Sequence, residues 1–245
     1  MILIKWDNLP ENMKNESVHR YYDQLIRKKF SLFLKRFFDI IAGIIGLLVL
    51  SPVFIIIAVL IKMDSEGPVL FRQVRVTQYG KRFYIFKFRT MVTNAERIGA
   101  QITGKNDRRI TQFGRFLRNH RLDEFPQLIN IITGDMSIVG TRPEVVKFVN
   151  QYTDEMMATL LLPAGVTSEA SISYKNEEEL LSDADNVDRV YIEKILPEKM
   201  KYNLRSLEEF TLLSEISIII RTFAVVFTSG KIIRKMRRFN KSTLG

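Results

Sequence analysis

The feature that most constrains this chain is an uncharged apolar stretch of 22 residues, from Ile40 to Ile61. About 20 such residues can cross the hydrocarbon core of a bilayer as a helix. A soluble core helix needs a polar face toward solvent, and this stretch has no charged position to provide one. Ser51-Pro52 divides it into arms of 11 and 9 residues. Because proline removes a backbone donor and bends a helix, we expect a break here, with the Ser51 hydroxyl as partner for the carbonyl left without a donor.

Cationic residues flank both ends of the stretch, with Lys35 and Arg36 before it and Lys62 after it. Since positive charge favours the cytoplasmic side of a membrane, a helix that enters and leaves by the same face is consistent with these flanks. A kinked helix that crosses the membrane fits the composition equally well. The chain thus divides into four predicted segments: a polar N-terminal extension (1–34), a membrane-embedded broken helix (35–62), a cytoplasmic domain (63–230) and a basic tail (231–245).

Charge and composition restrict the chemistry. The chain has 37 Lys and Arg against 27 Asp and Glu, a formal charge of +10, which suits an anionic lipid surface, a phosphorylated substrate or nucleic acid. There is no cysteine, and His19 and His120 are the two histidines. Disulfides, thiolate zinc sites and cysteine nucleophiles are therefore excluded. A metal would sit among oxygen ligands, as Mg²⁺ does, and a nucleophile would be a carboxylate, hydroxyl or amine.

The patterns after the apolar stretch predict an α+β domain that is mainly helical. A strand at 69–71, a turn at 79–82 and alternating residues at 83–88 indicate a small β-hairpin. Residues 93–135 are predicted to be mostly helical, with an apolar stripe among arginines, and residues 207–227 form a second apolar helix. The basic amphipathic helix suits either a membrane interface or a core position with a charged outer face, and the basic tail beside the apolar helix suits anionic lipid. The acidic run at 176–188 is interpreted as a solvated loop, with a metal site as the alternative.

The sharpest local pattern is Arg121-Leu122-Asp123-Glu124-Phe125-Pro126-Gln127-Leu128. Pro126 suits the first turn of a helix, which places Asp123 and Glu124 at or just before its N-terminus. The helix dipole there favours an ionised carboxylate and also attracts phosphate. Two acids at a helix start are nevertheless more often simple capping residues. His120 beside them is interpreted as a helix-surface residue.

The surroundings of the two acids favour chemistry over capping. Gly134-Asp135-Met136-Ser137-Ile138-Val139-Gly140-Thr141-Arg142-Pro143 follows closely, and the stiffly held Arg142 could present a planar fork to phosphate oxygens. Acids and phosphate-binding cations close together make a site for phosphoryl transfer reasonable. The candidate phosphate-binding residues are Arg72, Arg75, Lys87, Arg89, Arg118 and Arg142.

The order of these motifs resembles a known family. Lys-Arg-Phe-Phe-Asp precedes the Ser-Pro-broken helix, and Phe-Arg-Gln, Lys-Phe-Arg-Thr-Met, Leu-Asp-Glu-Phe-Pro-Gln-Leu and Gly-Asp-Met-Ser-Ile-Val-Gly-Thr-Arg-Pro follow it. Over roughly residues 31–227 the chain is similar to the bacterial sugar transferases, the monotopic phosphoglycosyl transferases that start the assembly of polysaccharides and glycoconjugates.

The resemblance implies a specific reaction. Asp123 would attack the β-phosphate of a UDP-sugar, release UMP and hold the phosphosugar covalently, before undecaprenyl phosphate accepts it. Glu124 would assist through Mg²⁺ or proton handling, with Mg²⁺ held by Asp123 and Glu124, and Arg142 would bind phosphate. The resemblance also favours a re-entrant helix broken at Ser51-Pro52, in the bacterial inner membrane, with the catalytic domain facing the cytoplasm.

Some positions depart from the family pattern. Leu162-Pro163-Ala164-Gly165-Val166-Thr167 carries an extra alanine and no cation, Ser168–Ile172 departs from the usual Gly-Leu-Ala-Gln-Val, and Thr77 stands where glycine is common. Sugar identity and details of nucleotide contact therefore stay open, as does oligomeric state, including a homo-oligomer.

Two rival interpretations come from other functional classes. A nucleic-acid-binding protein would explain the charge but not residues 40–61. A catalytically inactive membrane scaffold conflicts with the intact Asp123, Glu124 and Arg142.

Overall fold

The structure is a computed structural model that describes residues 3–95, 107–175, 177 and 186–227. The α-helices are α1 (Glu16–Arg27), α2 (Lys29–Asp64), α3 (Gln112–Asn119), α4 (Gln127–Thr133), α5 (Val146–Val149), α6 (Glu169–Ser173), α7 (Val187–Val190), α8 (Leu196–Glu208) and α9 (Leu212–Phe227). Short 3-10 helices occur at Trp6–Asn8, Glu11–Met13, Gln78–Gly80, Leu122–Glu124 and Met156–Leu161, and a π-helical turn occurs at Tyr191–Ile195. The mainly helical α+β class predicted from the sequence is confirmed.

Two small sheets complete the fold. β1 (Leu70–Val76) and β2 (Arg82–Phe88) form the predicted antiparallel hairpin. β3 (Met136–Val139) and β4 (Ala164–Thr167) pair in parallel, which the sequence patterns did not predict.

Within residues 107–135 the prediction of mostly helical structure is confirmed: α3 ends at Asn119, the chain reverses at Arg121, whose φ of 57° is left-handed, and α4 follows. The start of the last helix needs correction. The helix predicted at 207–227 begins only at Leu212, where Thr211 and Ser214 cap each other's backbone amides at 3.0 Å. The basic tail 231–245 and most of the acidic run 176–188 lie outside the described residues.

The apolar stretch forms the central part of α2. This helix has 36 residues, and within the described part of the chain it is the one helix long and apolar enough to cross a membrane. Pro52 lies inside it and lacks the N–H that would bond to the Leu48 carbonyl. The Ser51 hydroxyl donates to that same carbonyl at 2.8 Å, which confirms the predicted partner. α2 is helical on both sides of Ser51-Pro52, so this pair does not interrupt the helix, and the re-entrant path stays a prediction.

The first arm of α2 is fastened to α4 and β3 by polar side chains. Arg36 donates to the Ile131 and Ile132 carbonyls at the end of α4, at 2.7 and 3.1 Å. The buried Asp39 carboxylate accepts the Ser137 hydroxyl at 2.7 Å and the Ile138 amide at 3.1 Å. The charged side chains just before the apolar stretch therefore bind the protein itself.

The second arm of α2 is fastened to the hairpin and to α3. Ile57 and Ile61 share a buried cluster with Phe88 and Leu117. Arg89 donates to the Ser65 carbonyl at 2.6 Å, just after the end of α2. Both arms of the long helix thus contact one connected body.

The N-terminal extension packs against that body. α1 buries one face, and the extension contributes Leu9, Met13 and Leu25 to a cluster with Leu161 and Phe210. Although polar in overall composition, residues 3–28 cover part of the core, because their apolar residues pack together against it.

Candidate active site

Asp123 and Glu124 lie in the 3-10 turn Leu122–Glu124, directly ahead of α4. Pro126 is the N-cap residue of α4, so both acids stand just before a helix, as predicted. The left-handed Arg121 reverses the chain out of α3 and directs this turn toward the hairpin.

Glu124 lies between two cations. Its Oε1 accepts from Lys87 Nζ at 3.0 Å and also forms an ion pair with Arg142 Nη2, while its Oε2 lies 3.4 Å from Arg142 Nη1. The Glu124 side chain is 11% exposed and that of Lys87 is 19% exposed, whereas Arg142 keeps 32% of its side chain exposed. Arg142 therefore has surface left to meet an anion.

The position of Lys87 depends on a buried asparagine in α4. Asn130 accepts from the Phe86 amide at 3.0 Å and donates to the Tyr84 carbonyl at 2.8 Å, so it binds the backbone of β2 on both sides. This contact clamps α4 onto β2. Lys87 follows Phe86 in β2 and so comes to lie beside Glu124, which precedes α4.

The position of Arg142 depends on the close pairing of β3 with β4. Gly140 N donates to the Thr167 carbonyl at 2.9 Å, and Gly165 N donates to the Thr141 carbonyl at 2.8 Å. A Cβ at Gly165 would lie 2.1 Å from Gly140 N, so no larger residue fits there. The glycine pair lets the strands approach closely and projects Arg142 from the end of β3.

Asp123 has different surroundings from its neighbour. It is 8% exposed, and within the described residues its carboxylate forms no hydrogen bond or ion pair. Burial raises the pKa of Asp123, although the charges of Lys87, Arg118 and Arg121 oppose that rise. Burial thus opposes the ionised form that the helix start was expected to favour.

Glu124 shifts in the opposite direction. Burial alone would raise its pKa, but Arg142 and Lys87 together hold the pKa of Glu124 well below its usual range. Adjacent carboxyl groups with pKa values pushed apart can serve different roles in one reaction. Glu124 is a charged anchor for two cations at neutral pH, and Asp123 is a carboxyl group without a bound partner.

The structure separates the remaining candidate cations into two groups. Arg75 lies close to Arg142, and Arg118 lies close enough to lower the pKa of Asp123. These two cations belong to the site.

Two other candidate cations lie away from the site. Arg72 is exposed, with its guanidinium 5.3 Å from the centre of the Phe86 ring, on the strand face opposite Lys87. Arg89 is 6% exposed and holds the end of α2. We therefore expect no phosphate contact from Arg72 or Arg89.

A metal ion would find one available ligand at this site. Within the described residues there is no group of three or more Asp, Glu and His side chains that could hold a metal by themselves. Magnesium, however, is commonly held by one or two carboxylates together with substrate phosphates. The unbonded carboxylate of Asp123 fits that role, whereas the oxygens of Glu124 are already engaged by Lys87 and Arg142.

Sequence reasoning missed a buried polar group behind Arg142. Glu144, two residues after Arg142, accepts the Tyr191 hydroxyl, and Lys199 lies 3.5 Å from the same carboxylate. Glu144 could have been noted as the continuation of the Thr-Arg-Pro motif. Nothing in the sequence indicates that Tyr191 and Lys199 would join it.

Two departures from the family pattern contact each other. The Thr77 hydroxyl accepts from the Ala164 amide at 3.1 Å and donates to the Asp135 carbonyl at 2.5 Å. Thr77 is 3% exposed. Thr77 and Ala164 thus join the hairpin to β4.

Comparison with known proteins identifies the family to which this arrangement belongs. The family model for bacterial sugar transferases matches residues 30–229. An Aeromonas hydrophila protein named UDP-N-acetylgalactosamine-undecaprenyl-phosphate N-acetylgalactosaminephosphotransferase is 33% identical over 228 residues, which cover 92% of this chain and 49% of that protein.

Two further relatives have related names. The undecaprenyl-phosphate galactose phosphotransferase of Salmonella typhimurium is 34% identical over 82% of this chain and 42% of its own. The UDP-glucose:undecaprenyl-phosphate glucose-1-phosphate transferase of Escherichia coli is 36% identical over 77% of this chain and 39% of its own. The chain thus spans half or less of the length of each of these relatives, and the matched family model covers nearly all of its described helices and strands. The chain belongs to the bacterial sugar transferase family.

Proposed function

We propose that this protein transfers a sugar 1-phosphate from a UDP-sugar to a polyprenyl phosphate, with undecaprenyl phosphate as the expected acceptor, and so starts the synthesis of a polysaccharide or glycoconjugate. The observation that carries the proposal is the contrast between two adjacent acids. Glu124 is bound by Lys87 and Arg142, while Asp123 is buried beside them without a bonding partner. The names of the relatives support the substrate classes.

In the first half-reaction, Asp123 is the nucleophile. Its carboxylate oxygen attacks the β-phosphorus of the UDP-sugar, the bond from that phosphorus to the bridging oxygen breaks, and UMP leaves with the electron pair. The product is a phosphosugar bound covalently to Asp123. Arg142 and Lys87 offset the charge of the phosphates, because a carboxylate and a diphosphate otherwise repel each other.

In the second half-reaction, a phosphate oxygen of the polyprenyl phosphate attacks the same phosphorus. The bond to Asp123 breaks, the carboxylate is regenerated, and a polyprenyl diphosphate sugar is released. Dividing one transfer into two steps is ordinary covalent catalysis by a carboxylate. Glu124 keeps Lys87 and Arg142 beside the reacting phosphorus throughout.

Magnesium is the cofactor proposed for this site. Asp123 would hold it together with phosphate oxygens of the donor, and Glu124 would join only if it exchanged one of its ion pairs. When bound, Mg²⁺ would supply positive charge that lowers the repulsion between the anions.

The membrane helix α2 is proposed to be re-entrant, with both ends on the cytoplasmic side of the bacterial inner membrane. A straight helix of this length would extend about 54 Å, longer than the hydrocarbon core is thick. Yet its first arm bonds to α4 and β3 and its second arm packs on β2 and α3, and these elements contact one another. A connected body that holds both arms fits on one side of a bilayer more readily than on two.

The helix α9 is proposed to lie at the membrane interface. Leu213, Ile216, Ile220 and Phe223 follow each other at helical spacing, and each is at least 53% exposed. Such an apolar stripe on the surface suits the boundary between headgroups and acyl chains. Anionic lipids are the expected surroundings, given the charge of +10.

The experiment that tests this function supplies the protein, in membranes or detergent, with a panel of UDP-sugars, Mg²⁺ and undecaprenyl phosphate. Release of UMP and a new lipid-linked sugar are expected with at least one donor. The expected adduct on Asp123 is trapped by omitting the lipid acceptor and is located by mass spectrometry. An adduct on another residue would contradict the mechanism, and a failure to turn over any donor would favour the inactive scaffold.

A further inference from the structure

The turn that carries Arg142 is held from behind on its backbone. The Pro143 carbonyl accepts from Arg75 Nη1 at 3.3 Å, and the Glu144 carbonyl accepts from the Val76 amide at 3.0 Å. Arg75 is itself fixed by Gln73, whose Oε1 accepts from Arg75 Nη2 at 2.6 Å. The residues after Arg142 are thus fastened to strand β1.

The side chain of Glu144 is held by a second set of contacts. They come from the π-helical turn Tyr191–Ile195 and from α8, which together form the C-terminal helical segment. Tyr191 donates its hydroxyl to Glu144 Oε1 at 2.5 Å, and Lys199 Nζ lies 3.5 Å from the same oxygen. Lys199 also donates to the Tyr191 hydroxyl at 3.0 Å and to Glu177 at 2.9 Å. Glu144, Tyr191 and Lys199 are 7%, 2% and 4% exposed. These partners hold the buried Glu144 carboxylate in one position, because a carboxylate that moved away from them would remain buried without a hydrogen-bond donor or counter-charge.

Glu144 also acts electrostatically on the cations in front of it. Burial lowers the pKa of Arg75, and Glu144 is the charge that opposes this most strongly. Arg142 lies close to both, and Glu144 stands after Glu124 among the charges that stabilise its protonated form. Glu144 therefore offsets part of the combined positive charge of Arg75 and Arg142 when no anion is bound.

We infer that Glu144, held by Tyr191 and Lys199, is a positioning residue that sets Arg142 for recognition of a diphosphate. Glu144 fixes the turn after β3, so that Arg142 keeps its ion pair with Glu124 and directs its exposed third toward the anion. The identity of that anion as part of a UDP-sugar rests on the proposed function; the positioning of Arg142 for a diphosphate does not. The C-terminal helical segment thereby gains a role at the site although it carries no recognised motif.

The test removes a single hydroxyl and measures the affinity for inorganic pyrophosphate by calorimetry on the full chain in detergent. Tyr191→Phe keeps the ring that packs on Phe148, with centroids 4.6 Å apart, and deletes the hydroxyl that bonds to Glu144 and accepts from Lys199. Its matched control is Tyr21→Phe, which deletes another tyrosine bond to a glutamate, from Tyr21 to Glu155 at 2.8 Å. Tyr191→Phe should weaken pyrophosphate binding about tenfold, and Tyr21→Phe should leave it unchanged.

A double variant tests the route through Arg142. If Tyr191 acts by positioning Arg142, Tyr191→Phe should cost nothing further in an Arg142→Lys background, because the fork that it positions is already gone. Independent losses that multiply in the double variant would overturn the inference. Glu144→Asp is the second probe, since it keeps the negative charge but shortens the side chain that reaches Tyr191 and Lys199, and it should weaken binding in the same direction.

The outcomes separate this inference from the proposed function. Normal pyrophosphate affinity in both Tyr191→Phe and Glu144→Asp would overturn the positioning role, and so would a wild-type protein that does not bind pyrophosphate. A wild-type protein that binds pyrophosphate, loses affinity as described on substitution, and yet transfers no sugar phosphate would refute the proposed function and leave the positioning role standing.

Discussion

The carboxylates of Asp123 and Glu124 belong to consecutive residues, yet their surroundings shift their acidities in opposite directions. Glu124 is bound by Lys87 and Arg142, and its pKa is held well below the usual range. Asp123 has no such partner in the described structure, and burial raises its pKa. Substitutions at the two positions should therefore have opposite effects on stability, although both should abolish turnover.

Asp123→Asn should raise the melting temperature at pH 7 while reducing turnover more than about 1,000-fold. A raised pKa means that the folded state prefers the protonated form, so the stability of the wild type falls as pH rises through the pKa of Asp123. Asparagine avoids that loss. The gain from Asp123→Asn should shrink as the pH is lowered toward about 4, the ordinary pKa of aspartate. Thermal melts of both proteins between pH 4 and 8 measure this, and a variant less stable than wild type at pH 7 would contradict it.

Glu124→Gln should destabilise the protein by about 3 kcal/mol at pH 7, because Lys87 and Arg142 would be left without their shared counter-charge. Because the pKa of Glu124 is depressed, its charge adds to the free energy of unfolding at any pH above about 4.3, the ordinary pKa of glutamate. This contribution is lost as the pH falls through the lower pKa of Glu124 in the folded state. The difference in free energy of unfolding between Glu124→Gln and the wild type should therefore become smaller at acidic pH. Urea unfolding at pH 7 and below pH 4 tests this, and a difference that is constant with pH would argue against the ion pairs.

The two ends of α2 should be accessible from the same side of the membrane. Lys35 is 5% exposed and is a poor labelling site, so Phe30 and Met63, at 70% and 78% exposed, are better positions for single cysteines. The natural chain contains no cysteine, which makes each label unambiguous. A membrane-impermeant maleimide should label both variants only from the cytoplasmic side. Labelling from opposite sides would rule out the re-entrant path.

Turnover should require Mg²⁺ and should not depend on a transition metal. The oxygen-only chemistry of the site and the unbonded Asp123 carboxylate suit a hard cation shared with substrate phosphates. EDTA should abolish release of UMP, and added Mg²⁺ should restore it. Full activity after thorough chelation would show that the cations of Lys87 and Arg142 suffice.

The sequence was enough to predict features that depend on neighbouring residues. The long apolar helix with a serine hydroxyl serving the carbonyl freed by Pro52, the β-hairpin, and the two acids ahead of a helix at Pro126 all follow from local chemistry. The helix boundaries near Arg121 and Thr211 were missed, because a left-handed residue and a reciprocal cap interrupt patterns that are otherwise helical.

The tertiary structure decided which candidate cations lie beside Asp123 and Glu124 and which lie elsewhere. The alternation of side chains along a strand already separates Lys87 from Phe86, but only the pairing of β1 with β2 places Arg72 over Phe86 and away from Glu124. Arg89 belongs to a motif beside Lys87, yet it holds the end of the membrane helix.

The acidity of each carboxyl was also beyond the sequence. Both acids precede the same helix, and its dipole predicts the same sign of shift for each. The shifts of the two acids nevertheless differ in sign, because burial prevails at Asp123, whereas at Glu124 the charges of Lys87 and Arg142, brought from β2 and from the end of β3, together outweigh burial. The sequence by itself thus determined which residues could perform the chemistry, and the packing of distant segments decided which acid is bound and which is left free to react.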